Sequence, residues 1–170
     1  MKYILYNLKK DRSGIAALEF ALILPVLSLV IALLADLGFA YHLRLQLTEG
    51  VAAGTYYASD HAGNLSSANE ATIAQTIVNV VKSIAGPDAN VTVLANGANG
   101  TTNADTFYCL NGGVGSMSST GSSSGPCADT TTSGKFITVQ ANLSYAPIFP
   151  VITAALTNLA VGETITVRVR

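Results

Sequence analysis

Three features of this chain bring together residues that could do chemistry: a carboxylate at the mouth of an apolar run, a pair of cysteines, and a serine between glycines. Glu19 stands immediately before residues 20–35, sixteen uncharged positions of which eleven are Leu, Ile, Val or Phe. A carboxylate near the entrance of a membrane-length helix marks a functional site by default, and it needs a partner. If the chain is cut after Gly14, Ile15 acquires a free α-amine and Glu19 becomes the fifth residue of the shortened chain. Helix packing between neighbouring subunits then brings one subunit's amine to another's Glu19. Each charge is neutralised where it would otherwise be expensive.

Cys109 and Cys127 are the only cysteines, with seventeen residues of Gly- and Ser-rich sequence between them. Two cysteines do not make a four-ligand zinc site without nearby histidines, and His42 and His61 are distant in sequence. Outside the cytoplasm the default for such a pair is a disulfide, worth about 3 kcal/mol by loop entropy. The alternative is two separate buried thiols. Gly121-Ser122-Ser123-Ser124-Gly125 matches the nucleophile-elbow pattern on paper, but that motif needs a strand before it and a helix after it. Linker composition explains it better. Asn and Asp residues between 96 and 105 lack the spacing of a known calcium loop. With no metal-ligand cluster, phosphate loop or histidine-based triad, no cofactor, small-molecule substrate or enzymatic activity is expected.

The element that must position Glu19 is the apolar run itself. Sixteen residues at 1.5 Å each cover about 24 Å, against a hydrocarbon slab of about 30 Å. Glu19 and Asp36 therefore fall near its edges. An acidic group costs about 2.5–3.5 kcal/mol at mid-membrane and less at the interface; eleven large apolar residues at about −0.3 to −0.6 kcal/mol each offset that. Lys2, Lys9, Lys10 and Arg12 precede the run, which predicts a cytoplasmic amino end and the remainder across the membrane. Pro25 removes a backbone donor and is expected to kink or loosen the helix. A plain anchor remains open as a reading, as does a secretory signal cleaved at Gly38-Phe39-Ala40.

Beyond the run, Ala40, Leu43, Leu47, Gly50, Gly54 and Tyr57 keep helical spacing, although Leu43, Leu45 and Leu47 also alternate like a strand. One helix over about residues 15–57 is expected. A second should open with a capping box, Ser67-x-x-Glu70, carry an apolar stripe at Ile73, Ile77, Val80/Val81 and Ile84, and stop at Gly86-Pro87. Residues 90–94, 136–145 and 162–170 read as strands, with a turn at Pro147-Ile148-Phe149-Pro150 and a short apolar helix over 151–159. The fold class expected is α+β with an antiparallel sheet, preceded by the long amino-terminal helix.

Charged residues make up 11% of the 170 positions, against about 25% in an ordinary soluble domain. Net charge is −1, but removing residues 1–14 leaves five basic against nine acidic side chains. No clustered Lys/Arg surface interleaved with aromatics is evident, so a nucleic-acid partner is not expected.

The segment Asp11-Arg12-Ser13-Gly14-Ile15-Ala16-Ala17-Leu18-Glu19-Phe20-Ala21-Leu22-Ile23-Leu24-Pro25 resembles the amino terminus of TadE-like pseudopilins, of the tight-adherence (Flp-type) branch of type IV pilus systems. The Asp36-Leu37-Gly38 stretch, the Tyr145-x-Pro147-x-x-Pro150 segment with a final strand, and the cysteine pair before that strand also look like this family. The resemblance is specific over the first fifty residues, extends to the carboxyl-terminal part, and does not cover the middle, from about 64 to 133. It implies cleavage by a prepilin peptidase between Gly14 and Ile15, with Glu19 and Phe20 as the recognition pair. It further implies a pilin-like fold and pilin-like subunits, pilus assembly machinery and membrane lipid as partners. Residues 1–14 would be a cytoplasmic basic leader, 15–41 a transmembrane helix, and 42–170 a periplasmic domain with a disulfide loop over 96–134. The location implied is the bacterial inner membrane, with entry into the pilus left open. The competing reading is an anchored binding module whose disulfide loop contacts a surface ligand.

Overall fold

The computed structural model describes residues 13–97, 104–110, 117–149 and 159–170. These fall into two units, one containing residues 13–39 and 147–149, the other 40–97, 104–110, 117–146 and 159–170.

The chain's first element is α1 (Ser13–His61), 49 residues long. Its assignment runs through Pro25 without a break. The Ser28 hydroxyl donates to the Pro25 carbonyl at 2.9 Å. In the first unit every large apolar side chain of α1 from Ile15 to Phe39 is exposed. Such a helix cannot be stabilised by water; it is long and apolar enough to cross a membrane.

In the second unit α1 has one buried stripe, Leu47, Val51 and Ala58, with Gly50 and Gly54 between. The helical period therefore wins over the Leu43-Leu45-Leu47 alternation: Leu47 is buried and Leu45 exposed. Helix α2 (Glu70–Ala85) packs on it through Ile77, Val81 and Ala85, with Ile73 half-buried behind them. Ile84, expected in the stripe, is exposed, and Ala85 takes the inward position.

The predicted capping box does not form. Asn69 occupies the N-cap position without a side-chain cap bond. The Ser67 N–H donates instead to Asp105 Oδ1 at 3.2 Å. Asn69 braces the preceding turn, accepting from the Ser66 N–H at 2.8 Å and donating to the Asn64 carbonyl at 2.9 Å. Long-range bonding of Ser67 has displaced the local capping geometry. Gly86 closes α2 as expected, at φ 99°, with its N–H on the Lys82 carbonyl.

Three strands form an antiparallel sheet in the order β1–β4–β5. They are β1 (Asn90–Ala95), β4 (Phe136–Tyr145) and β5 (Leu159–Arg168). The central β4 pairs from Asn90↔Asn142 to Ala95↔Ile137 on one side and from Phe136↔Arg168 to Tyr145↔Leu159 on the other. Its core face carries Ile137, Val139, Ala141 and Leu143, flanked by Val91 and Val93 on β1 and by Val161, Ile165 and Val167 on β5. On the opposite face Thr138 and Thr166 share a hydroxyl–hydroxyl bond of 2.8 Å. Strand β5 starts at Leu159, three residues before the expected 162, because Tyr145 and Ser144 extend the β4 ladder that far. Of the short helix expected over 151–159, residues 151–158 lie outside those described, and Leu159 belongs to β5.

The sequence reading missed a second sheet. Strands β2 (Phe107–Leu110) and β3 (Met117–Gly121) pair antiparallel within the region read as a disulfide loop. An isolated β-bridge, Tyr108↔Gly134, ties β2 to residue 134, and a second, Pro126↔Thr132, closes the segment between β3 and β4. Gly121 ends β3 and is followed by a bend and the bridge at Pro126, so the Gly-x-Ser-x-Gly segment has no following helix.

Candidate functional site

Gly14, Ile15, Glu19 and Phe20 all lie on α1 and all are exposed. Ile15 and Glu19, four positions apart, share one helix face. Outside its own turn, nothing lies within 4 Å of where a Gly14 side chain would begin. The Gly14–Ile15 bond is therefore not shielded by any described part of the fold. Leu22 and Ile23, three and four positions on from Glu19, share its helix face and are exposed.

Asp36 behaves differently from Glu19. It is only 1% exposed. Its Oδ1 accepts the Ile148 N–H at 2.9 Å and its Oδ2 the Phe149 N–H at a longer 3.4 Å. Both partners belong, with Asp36, to the first unit. A carboxylate that accepts backbone N–H groups is compensated for leaving water. Sequence reasoning noted Asp36 but gave it no partner, since Ile148 is 112 positions away. The available signal was chemical: an acidic group closing an apolar run needs donors.

Cys109 and Cys127 form a disulfide, with Cα atoms 5.7 Å apart, inside the range a bridge requires. The bridge joins β2 to a turn at 127–131, where the Cys127 N–H donates to the Thr131 carbonyl at 2.8 Å. In that turn the Thr131 hydroxyl donates to Asp129 at 2.6 Å and the Thr131 N–H at 3.1 Å. Those two bonds, the hydroxyl's first, hold the Asp129 carboxyl below its ordinary range. A cleft of about 290 Å³ beside the bridge is lined by Tyr108, Leu110, Phe136, Asp129 and Arg168 among others. Its charged groups are engaged by the chain itself: Arg168 donates to the Arg170 and Ser133 carbonyls.

Two further residues hold this region to the core, and neither was singled out from sequence. Asn96, in the left-handed region at φ 56°, donates from Nδ2 to the Thr106 carbonyl and accepts the Phe136 N–H at 2.9 Å. Lys135 is buried; its Nζ donates to the Leu65 carbonyl at 2.5 Å and lies 5.4 Å from the centre of the Phe107 ring. Asp105 faces the same junction. The Ser67 hydroxyl first, then the Ser67 N–H, lower its pKa, with the Lys135 charge adding to the effect and partial desolvation opposing it. Among the described residues no group of three His, Cys, Asp or Glu is placed to hold a metal ion.

These features define a long apolar helix, with the exposed Gly14, Ile15, Glu19 and Phe20 at its start, leading into a disulfide-bonded α+β unit. The family model for TadE-like protein matches residues 14–55. That segment is similar to TadE-like protein and makes up 42 of the 170 residues. Comparison with curated proteins and with solved structures returned no match.

Proposed function

We propose that this protein is a non-enzymatic, pilin-like (minor pseudopilin) component of a Tad/Flp-type pilus assembly system. Residues 1–14 act as a cytoplasmic leader, 15–41 hold the chain in the bacterial inner membrane, and 42–170 form the extracytoplasmic domain. A prepilin peptidase cuts between Gly14 and Ile15 after recognising Glu19 and Phe20. The new Ile15 α-amine of one subunit is then met by Glu19 of another, and each charge is compensated. One observation carries the reading: the family match begins at residue 14, where the unobstructed Gly14 lies at the start of the exposed apolar helix.

Amino-terminal sequencing of the protein from membranes of peptidase-containing cells tests it. Ile15 as first residue is expected, and Gly14→Leu should block the cut while leaving membrane insertion intact. A normally shortened product from Gly14→Leu, or an intact leader in the parent chain, would refute processing. In cleaved protein, Glu19→Ala should lose crosslinking to other pilin-like subunits. An uncompensated partner costs about 3–5 kcal/mol when buried and less at a wet interface. Undiminished crosslinking of the cleaved variant would leave Glu19 no role in assembly.

A further inference from the structure

The turn around residues 147–149 combines two properties that rarely coincide. Its side chains Ile148 and Phe149 are 56% and 40% exposed, although both are large and apolar. Its backbone donors are nonetheless fully occupied. In Pro147-Ile148-Phe149-Pro150 the two prolines carry no N–H. The remaining two N–H groups both go to Asp36. With both N–H groups of Ile148 and Phe149 bonded to Asp36, the turn sheds part of the cost of leaving water, and its apolar side chains gain by doing so.

Its position agrees. Asp36 follows directly on the uncharged run 20–35, which covers about 24 Å of a hydrocarbon slab of about 30 Å. Hydrogen bonds of 2.9 and 3.4 Å place Ile148 and Phe149 at the same level of the helix as Asp36. Leu33, Leu34, Leu37 and Phe39, also exposed, surround that level on α1. Aromatic and aliphatic side chains at such a depth gain by entering the boundary between headgroups and acyl chains.

We propose that the Ile148–Phe149 turn is a second membrane contact, a lipid-inserted wedge held by the Asp36 carboxylate at the end of the spanning helix. The occupant of this apolar surface is the acyl-chain boundary of the bilayer. Asp36 is a positioning residue: its two carboxylate oxygens accept the N–H groups of the turn and keep it against the helix. The proposal rests on residues 20–35 spanning the membrane.

The chain contains no tryptophan, so single-Trp variants report without background. Full-length Phe149→Trp, with Ile148→Trp as a second reporter, is reconstituted in phosphatidylcholine vesicles containing lipids brominated at defined chain depths. Leu27→Trp, in the middle of the run, reports on spanning itself, and the exposed Tyr56→Trp serves as the aqueous reference. Both turn reporters should show blue-shifted emission and quenching strongest with bromines near the headgroup end of the chains. Leu27→Trp should respond best to deep bromines. Adding Asp36→Ala to Phe149→Trp should abolish most of the turn's quenching and leave that of Leu27→Trp unchanged. If Leu27→Trp is quenched while both turn reporters match Tyr56→Trp, the wedge is refuted and the spanning reading stands. If none is quenched, both fail. Quenching at the turn that appears only when protein is diluted in lipid would assign the surface to a second copy and overturn the proposal. Quenching insensitive to Asp36→Ala would overturn the role of the carboxylate.

Discussion

Gly54 and Val81 meet so closely that no side chain fits between them. A Cβ at Gly54 would stand 2.7 Å from Val81 Cγ2 and 3.2 Å from Ile77 Cγ2, and one at Gly50 only 3.0 Å from the Val81 carbonyl. The two glycines are therefore what lets α1 and α2 touch backbone to side chain in the second unit. Each costs about 1 kcal/mol of helix propensity relative to Ala, and the close packing offsets it.

Enlarging this contact should be destructive. Valine is stiff about χ1 and the surrounding core is buried, so Val81 has little room to yield. Gly54→Leu should destabilise the second unit by at least about 1–3 kcal/mol, the usual penalty of overpacking. Gly63→Ala, where nothing lies within 4 Å, is the comparison and should change stability far less. Urea unfolding of the full chain in detergent reads both; equal effects would show that the contact is not tight.

Lys135 offers a test of buried polar bonding. Lys135→Met keeps most of the stem but leaves the Leu65 carbonyl without the Nζ donor and removes the cation from the Phe107 ring. Loss of about 1–3 kcal/mol is expected, the cost of leaving a buried group unsatisfied. Thermal unfolding checks it, and an unchanged midpoint would mean water replaces the ammonium without penalty.

The Cys109–Cys127 bridge should act on stability alone. Cys109→Ser is expected to cost about 3 kcal/mol while leaving membrane targeting intact, since the bridge restricts the unfolded chain and plays no part in insertion. Membrane fractionation and unfolding are measured together. Free thiols reactive to iodoacetamide in protein from its native compartment would contradict the premise.

Acid should loosen the junction that Ser67 makes with Asp105. The Asp105 carboxyl lies below the ordinary value of 3.8, so its bonds stabilise the folded state above that value. That contribution is lost as pH falls through the lowered pKa. Asp105→Asn should therefore be less stable than the parent at neutral pH, with the gap narrowing once pH falls below about 4. Unfolding midpoints measured across that window decide it; a gap that widens in acid would reverse the assignment.

What was legible in the sequence depended on periodicity. The stripes at Leu47 and Val51 and at Ile77 and Val81 repeat with the helical turn, and 136–145 alternates along its length, so α1, α2 and β4 were read close to their observed limits. The hairpin β2–β3 was hidden because Met117 to Gly121 is a Ser- and Thr-rich stretch without alternation. Its partner strand, Phe107 to Leu110, and the disulfide that ties that strand to Cys127 both lie outside any window over Met117 to Gly121. The Ser67 box failed for the opposite reason: a good local signal lost to a distant acceptor, Asp105. In the candidate site, Glu19 was found by its misfit with an apolar run, whereas the bonds from Asp36 to Ile148 and Phe149 depend on chain return and leave no local trace.

The central place of β4 sets an order of events during synthesis. The stripe Leu47, Val51 and Ala58 leaves the ribosome long before Val139, Ala141 and Val161, which complete the same core. At about 5–20 residues per second, the hundred or so positions between them take roughly 5–20 s. For about fifty of those positions, from Ala95 to Tyr145 and about 2.5–10 s, β1 has been made but β4 is incomplete, so β1 lacks its full partner within its own chain. A β4 strand arriving from a neighbouring copy is chemically equivalent to its own. Exchange of β4 between copies therefore competes with closure of the sheet within one chain, the more so the closer together chains are made.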